Sequence, residues 1–255
     1  MSEAVSLKSV SKRFGSTQAV DGLDLTIPQG SVYGLLGPNG SGKSTTMKMI
    51  MGLVKPDSGT ISVYGSDPTR DPLTIKRAIG YVPEAPRLYD FLTAYEYIDF
   101  VCAVHGLETK QQEGRIKEFF EAFELTGHEN EVIGGYSHGM KQKVAIIAAL
   151  LGKPRLLILD EPLGGLDPKS ARIMKDLIHK LAGEGVTTIF STHVMEIADA
   201  VCDKIGILYN GKKLAEGTAT ELRGMSGLPG SSLEEVFLKL TGGSDVKPIV
   251  DALAS

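Results

Sequence analysis

No stretch of this 255-residue chain is apolar for long enough to cross a membrane. The longest apolar run, Val144–Leu151, falls far short of the roughly 20 residues that a spanning helix needs. The first residues, Met1-Ser2-Glu3-Ala4-Val5, lack the basic and apolar regions of a secretion signal. The chain therefore reads as soluble, with any membrane role reached through a partner. Basic charge is not in excess either: the formal net charge is −4, so the electrostatic footprint of a nucleic-acid binder is missing and no nucleic acid is expected. Cysteine is scarce. Cys102 and Cys202 both lie in apolar helical patterns and read as small buried hydrophobes in a reducing cytoplasm, not as a disulfide. No internal repeat is visible. Against these absences stands a hydrophobic content of 42%, enough to bury a sizeable core as one large domain or two modest ones.

The rest of the chain is organised around residues 32–54. Val32–Leu36 reads as a buried strand, and Gly37-Pro38-Asn39-Gly40-Ser41-Gly42-Lys43-Ser44 fits Gly-x-x-x-x-Gly-Lys-Ser, the phosphate-binding loop. Met47, Ile50, Met51 and Val54 then share one face of a helix. Glycines let the backbone curl so that its N–H groups converge on phosphate oxygens, and the positive end of the following helix favours an anion. Lys43 supplies a mobile point charge for the β- and γ-phosphates, and the Ser44 hydroxyl is placed to ligate Mg²⁺. An ordinary glycine-rich turn is the alternative. The complete motif between a strand and a helix favours a nucleoside triphosphate site.

Residues 5–33 read as strands, with Leu23, Leu25 and Ile27 alternating with polar neighbours. Pro56-Asp57-Ser58-Gly59 before Ile61 and Val63 suggests a hairpin. Phe14, in the polar loop Lys12–Gly15, reads either as an aromatic packing on its own domain or as a stacking surface for a purine base. Ile79–Glu84 is a short strand ending in a carboxylate. Thr93 caps a helix in which Ala94, Tyr97, Ile98, Val101 and Cys102 share a face, with Gly106 as its stop. Ile116, Phe119, Phe120 and Phe123 stripe a second helix, so a small helical subdomain inserted between strands is expected. Ser137 stands near the start of a third, strongly apolar helix.

The continuous run Leu156–Leu159 reads as a strand buried on both faces, which puts Asp160 and Glu161 at its carboxyl end, where open α/β sheets hold ligands. Gly165–Pro168 is a turn before a helix with Ile173, Leu177, Ile178 and Leu181 on one face. Val186–Phe190 is another buried strand, and it brings His193 to the same edge as the two acids. Ile205–Ala215 forms a hairpin around Asn210-Gly211. Gly224–Gly230 reads as a flexible link and Leu233–Leu240 as a short amphipathic helix; the tail from Gly242 carries no usable pattern.

From about Val5 to Leu240 these motifs, in this order, resemble the ATP-binding cassette (ABC) family, specifically the ATPase subunits of ABC transporters. Gly37–Thr45 resembles Walker A, Leu156–Glu161 Walker B, Ser137–Gln142 the family signature, Gly165–Asp167 the D-loop and His193 the switch histidine. The resemblance implies an α/β P-loop NTPase (RecA-like) core sheet, with an N-terminal antiparallel β subdomain and the helical subdomain inserted over about 88–136. The ATPase domain would cover 1–222, and 223–255 would form a C-terminal link, helix and tail. It further implies ATP and Mg²⁺ as ligands, Phe14 stacked on adenine, and residues Gly37 to Thr45 around the phosphates. Ser44, Glu84 and Asp160 would serve the metal, with Glu161 as general base and His193 and Lys43 beside it. Ser137, His138, Gly139 and Met140, with Asp167 of the D-loop, would close over ATP held by a second, identical or paralogous, ATPase subunit. The dimer would drive an integral membrane permease from the cytoplasmic face of the cell membrane.

The sequence departs from the family pattern at three places. Glu84 stands where most members have glutamine, His138 where they have glycine, and Met140 where glutamine is commoner. Ser-x-Gly-Met and the ending Leu233–Leu238 resemble the multidrug and antibiotic exporter branch, and small-molecule export is the expectation. The alternatives are an importer ATPase or a soluble cassette acting on ribosomes or DNA. Translation-factor types normally carry two cassettes, and Thr45 to Ser137 leaves no room for the coiled coil of the chromosome-maintenance type. A small-molecule kinase would not explain the signature.

Overall fold

The computed structural model describes residues 2–227 and 230–242. In chain order the elements are β1 (Glu3–Phe14), β2 (Thr17–Pro28), β3 (Val32–Leu36), α1 (Lys43–Ile50), β4 (Ser58–Val63), α2 (Pro72–Ala78), β5 (Ile79–Val82), α3 (Ala94–Val104) and α4 (Thr109–Ala122). There follow α5 (His138–Leu151), β6 (Leu156–Asp160), α6 (Pro168–Gly183), β7 (Thr187–Thr192), α7 (Met195–Val201), β8 (Lys204–Tyr209), β9 (Lys212–Gly217), α8 (Ala219–Met225) and α9 (Leu233–Leu240).

Two sheets carry the architecture. A six-stranded sheet in the order β5-β6-β7-β3-β8-β9 is parallel except for β9, which pairs antiparallel with β8. An antiparallel sheet in the order β2-β1-β4 stands beside it. The apolar run of β6 is continuous because each face has its own core. Leu157 and Leu159 pack with α3, α4, α5 and α6, whereas Leu156 and Ile158 pack with α1 and the antiparallel sheet. All four side chains are fully buried, and each contributes about 1.5–3 kcal/mol relative to exposure. A third, smaller cluster joins Leu36 and Ile207 to Met195, Ala198, Leu222, Leu233 and Val236.

Thr93 caps α3 with a complete capping box to Glu96, and the helix ends at His105 and Gly106 as expected. Three expectations shift. Pro56–Gly59 makes no hairpin: the segment before it is α1, and β4 instead crosses to β1, with Val5 opposite Val63. Phe14 is the last residue of β1, not part of a loop. Gly224 and Met225 lie in α8; Leu228, Pro229 and the tail beyond Gly242 lie outside the described residues. No helix among the described residues is long and apolar enough to cross a membrane.

Candidate functional site

Three chain segments meet at the carboxyl edge of the parallel sheet, because β6, β7 and β3 are neighbours in it. Gly37–Gly42 leave β3 and turn into α1 without a side-chain cap, so the first amides of α1 have no intrahelical partner and are suited to an anion. Two glycines are obligatory there. Gly42 has φ +104° and a Cβ on it would lie 2.5 Å from Ala19 O; one on Gly37 would lie 2.2 Å from Leu208 O. The loop borders a cavity of about 210 Å³ lined by Thr17, Ala19 and residues 39–45. Phe14 stands opposite Thr17, a lining residue of that cavity, in the β1–β2 register; it is half exposed, with Lys12 Nζ 5.4 Å from its ring centre.

Lys43 Nζ donates to Gly37 O at 2.7 Å and to Pro38 O at 3.2 Å. Burial lowers its pKa, and the charges of Glu161, Asp160 and Glu84 oppose that shift. These three carboxylates therefore act on one ammonium, although they come from two strand ends. The Ser41 hydroxyl is buried in the loop with no hydrogen-bond partner among the described residues. Tyr81 on β5 has its pKa raised to about 12, by burial first and then by the same Asp160 and Glu84.

Asp160 is buried and accepts a hydrogen bond from Ser191 Oγ. Glu161 follows in left-handed backbone, φ +49°, a conformation that costs a non-glycine residue about 1 kcal/mol or more. Its carboxylate lies between two groups of the next strand end: His193 Nδ1 is 2.8 Å from Oε1, and Thr192 Oγ1 donates to Oε2 at 3.1 Å. Its backbone N–H donates to Ser191 O at 3.1 Å. The glutamate is nearly buried while His193 stays 62% exposed, so the pair opens toward solvent on the histidine side.

The signature segment is elsewhere. Ser137 caps α5, accepting from Met140 N at 3.2 Å, and both Ser137 and His138 are exposed. Among the described residues, the hydrogen bonds and ion pairs of residues 137–143 that involve side chains run to one another, Asp90, Pro162 and Asp167, and none reaches residues 37–45. A Cβ on Gly139 would lie 2.5 Å from Gly165 O, and one on Gly165 would lie 2.5 Å from the His138 ring. Asp167 caps α6 through Ser170 N and pairs with Lys143 at 2.8 Å. That ammonium, together with Ser170, holds the Asp167 carboxyl well below the usual carboxylate range.

The structure thus gathers Gly37–Thr45, Glu84, Asp160, Glu161 and His193 at one edge, pairs Phe14 with Thr17 beside the loop, and holds Ser137–Met140 with Asp167 in a second group. Sequence reasoning missed the partners of these residues: Ser191 on Asp160, Thr192 on Glu161, Lys143 on Asp167. The first two directly precede His193, a proximity that pointed to them.

A phosphate loop on a parallel sheet, with paired carboxylates ending the adjacent strand, defines a P-loop nucleotide-binding protein. The family model described as "ABC transporter" matches residues 20–164. The daunorubicin/doxorubicin resistance ATP-binding protein DrrA of Streptomyces peucetius is 37% identical over 224 residues, covering 88% of this chain and 68% of that protein. A solved "ATP binding subunit of ABC transporter" superimposes with a TM-score of 0.88 at 34% identity, covering 93% of this chain and 99% of that one. The dimeric cassette MJ0796, bound to ADP and phosphate after hydrolysis, superimposes with a TM-score of 0.77 at 28% identity, over 84% and 98% of the two chains. The chain belongs to the ABC transporter family. It is an ATP-binding cassette and an ATPase.

Proposed function

We propose that two copies of this chain, or this chain and a paralogue, close around two ATP molecules to drive a membrane permease that exports a small molecule. One observation carries the reading. The chain holds one phosphate loop and one signature helix whose capped start is exposed, and among the described residues no side-chain hydrogen bond or ion pair of residues 137–143 reaches the loop. Each half-site is completed only by a second subunit, so hydrolysis in one dimer releases both clamps together.

Within a half-site, Phe14 stacks on adenine, the amides of residues 37–45 cradle the phosphates, and Lys43 leaves its carbonyl partners for the β- and γ-phosphates. Ser44, Asp160 and Glu84 are hard oxygen donors on the side of the site whose charges act on Lys43, a donor set that fits a Mg²⁺ ion retaining several waters. When bound, that ion supplies charge neutralisation between the phosphates. Glu161 orients water and accepts its proton, and Thr192 and His193 fix the carboxylate's direction. His193, exposed on its far side, is placed to hydrogen-bond the γ-phosphate.

The membrane partner is supported by an aromatic group on the helical part. Tyr89 touches Phe91 (ring centres 5.8 Å) and Phe100 (5.5 Å); Phe91 is largely exposed and the other two nearly half exposed. Such a patch fits an apolar helix end of a permease. The chain would then work as a peripheral protein on the cytoplasmic face of the membrane. Export is supported by the daunorubicin/doxorubicin resistance for which the S. peucetius relative is named.

The test uses Glu161→Gln, tagged in its native cell and solubilised with Mg-ATP. Co-purification of a polytopic membrane protein is expected, and Phe91→Asp should abolish it while ATP binding persists. Recovery only with ribosomes or soluble complexes would overturn the transporter reading.

A further inference from the structure

A cavity of about 540 Å³ opens between the phosphate loop, the start of α7 and the last described helix, α9. Its volume lies within the range of small-molecule sites, about 300–1,000 Å³. Pro38 and Asn39 form one side, Val194 and Met195 a second, Phe237 and Leu238 the third. The α9 wall is anchored: Leu233 and Val236 are buried against Leu36, Met195, Ala198 and Leu222, and Phe237 meets the Tyr209 ring edge-on at 6.3 Å. The adjacent phosphate groove is lined from Thr17, Ala19 and residues 39–45, so among the described residues only Asn39 is common to the two.

Two carboxylates, Glu196 from α7 and Glu234 from α9, stand on this wall beside Met195, Phe237 and Leu238. Neither side chain has a hydrogen bond or ion pair to another described residue. Their situation differs from that of Asp199, also on α7, which is held by Arg223. Among the described residues no lysine or arginine lines the cavity, and the imidazole on its wall, His193, is turned by Nδ1 toward Glu161. Two unneutralised carboxylates beside apolar surface and one aromatic ring describe a host for a positive charge on a greasy body.

We propose that this cavity binds a lipophilic organic cation, with its apolar body against Met195, Phe237 and Leu238 and its charge facing Glu196 and Glu234. An anion would be drawn instead to the amides that open α1, on the other side of the loop. The site needs no nucleotide and no second subunit, and so stands apart from the dimer reading. Because His193 and the phosphate loop form part of the wall, occupancy would be felt where ATP is hydrolysed.

The experiment measures binding of tetraphenylphosphonium to the full chain without nucleotide, by calorimetry or equilibrium dialysis. Tetraphenylborate, an ion of closely similar shape and opposite charge, is the control. Saturable binding of one cation per chain is expected, with no saturable binding of the borate. Glu196→Gln/Glu234→Gln should weaken the cation at least fivefold, and Phe237→Leu should also weaken it. Both glutamates are exposed and unpaired, so the double variant should retain its circular dichroism and its ATP affinity. Equal binding of the two ions, or cation binding unchanged in the double variant, would overturn the proposal. So would one cation per two chains appearing only on dimerisation, which would give the cavity to a second copy.

Discussion

Lys143 of α5 and Asp167 at the N-cap of α6 form an ion pair of 2.8 Å, with the lysine side chain 10% exposed and the aspartate 39%. The pair ties the helix that begins with the signature to the loop that precedes α6, and Gly139 and His138 pack on Gly165 at the same seam. Lys143→Met should lower stability by about 1 kcal/mol, a figure kept small because the aspartate is partly solvated. In the proposed dimer, both elements face the partner's ATP. The same substitution should therefore weaken ATP-driven dimerisation more than nucleotide binding by the monomer. Lys143→Arg should restore both. Urea unfolding and size-exclusion chromatography in Mg-ATP with Glu161→Gln read the two effects separately; equal loss of both nucleotide binding and dimerisation would refute the positioning role.

The same carboxylate gives a pH dependence of definite sign. Its pKa is depressed in the folded chain, chiefly by Lys143. The stability it contributes is complete above its unfolded pKa, about 3.9, and is lost as the pH falls below that toward the folded value. Asp167→Asn keeps a cap acceptor for Ser170 N and removes only the charge. Urea midpoints of wild type and Asp167→Asn should differ by a constant amount at pH 6–8, a window about two units above that reference, and converge below about pH 4. A difference that persists unchanged to lower pH would show that the charge is not its source.

Glu161 combines a functional carboxylate with an unfavourable backbone. Glu161→Gln should retain ATP binding and lose about 100-fold or more in turnover, the usual contribution of a positioned general base. Glu161→Gly should lose turnover as severely but not stability, because glycine accepts the +49° φ without strain. Thermal melts beside ATPase rates make the comparison. A destabilised glycine variant would mean that the contacts to Thr192 and His193 outweigh the strain.

What the sequence revealed depended on the range of the interaction. The phosphate loop, the caps Thr93 and Ser137, and the doubly buried run of β6 are set by residues a few positions apart, and spacing exposes them. α2 was invisible because only Ile75 of its seven residues is buried, leaving no apolar stripe to count. α8 likewise buries only Leu222, yet Thr218 and Glu221 form a capping box that was there to be read. The β1–β4 pairing, the Glu161–His193 contact and the Lys143–Asp167 pair each join distant parts of the chain. Only tertiary packing brings those groups together, and no local period encodes it.

Glu84 is exposed beyond the end of β5, and its charge reaches Lys43. Glutamine there would keep one oxygen donor toward a metal while removing a negative charge from the phosphate side. Glu84→Gln should therefore retain substantial ATPase activity, within about tenfold of wild type, the scale of a single outer metal contact. A complete loss in a steady-state assay would assign the carboxylate a catalytic role of its own.

Phe14 provides the most direct view of nucleotide binding, because the chain contains no tryptophan. The ring is 50% exposed at the end of β1, so exchange there should leave stability within about 0.5 kcal/mol. Phe14→Ala should weaken ATP up to about tenfold, the value of one aromatic stack. Phe14→Trp should preserve affinity and create a single indole whose fluorescence changes on titration with ATP, and changes much less with inorganic triphosphate, which has no base to stack. An equal response to both would mean that the ring senses the phosphates or a loop movement and does not touch the base.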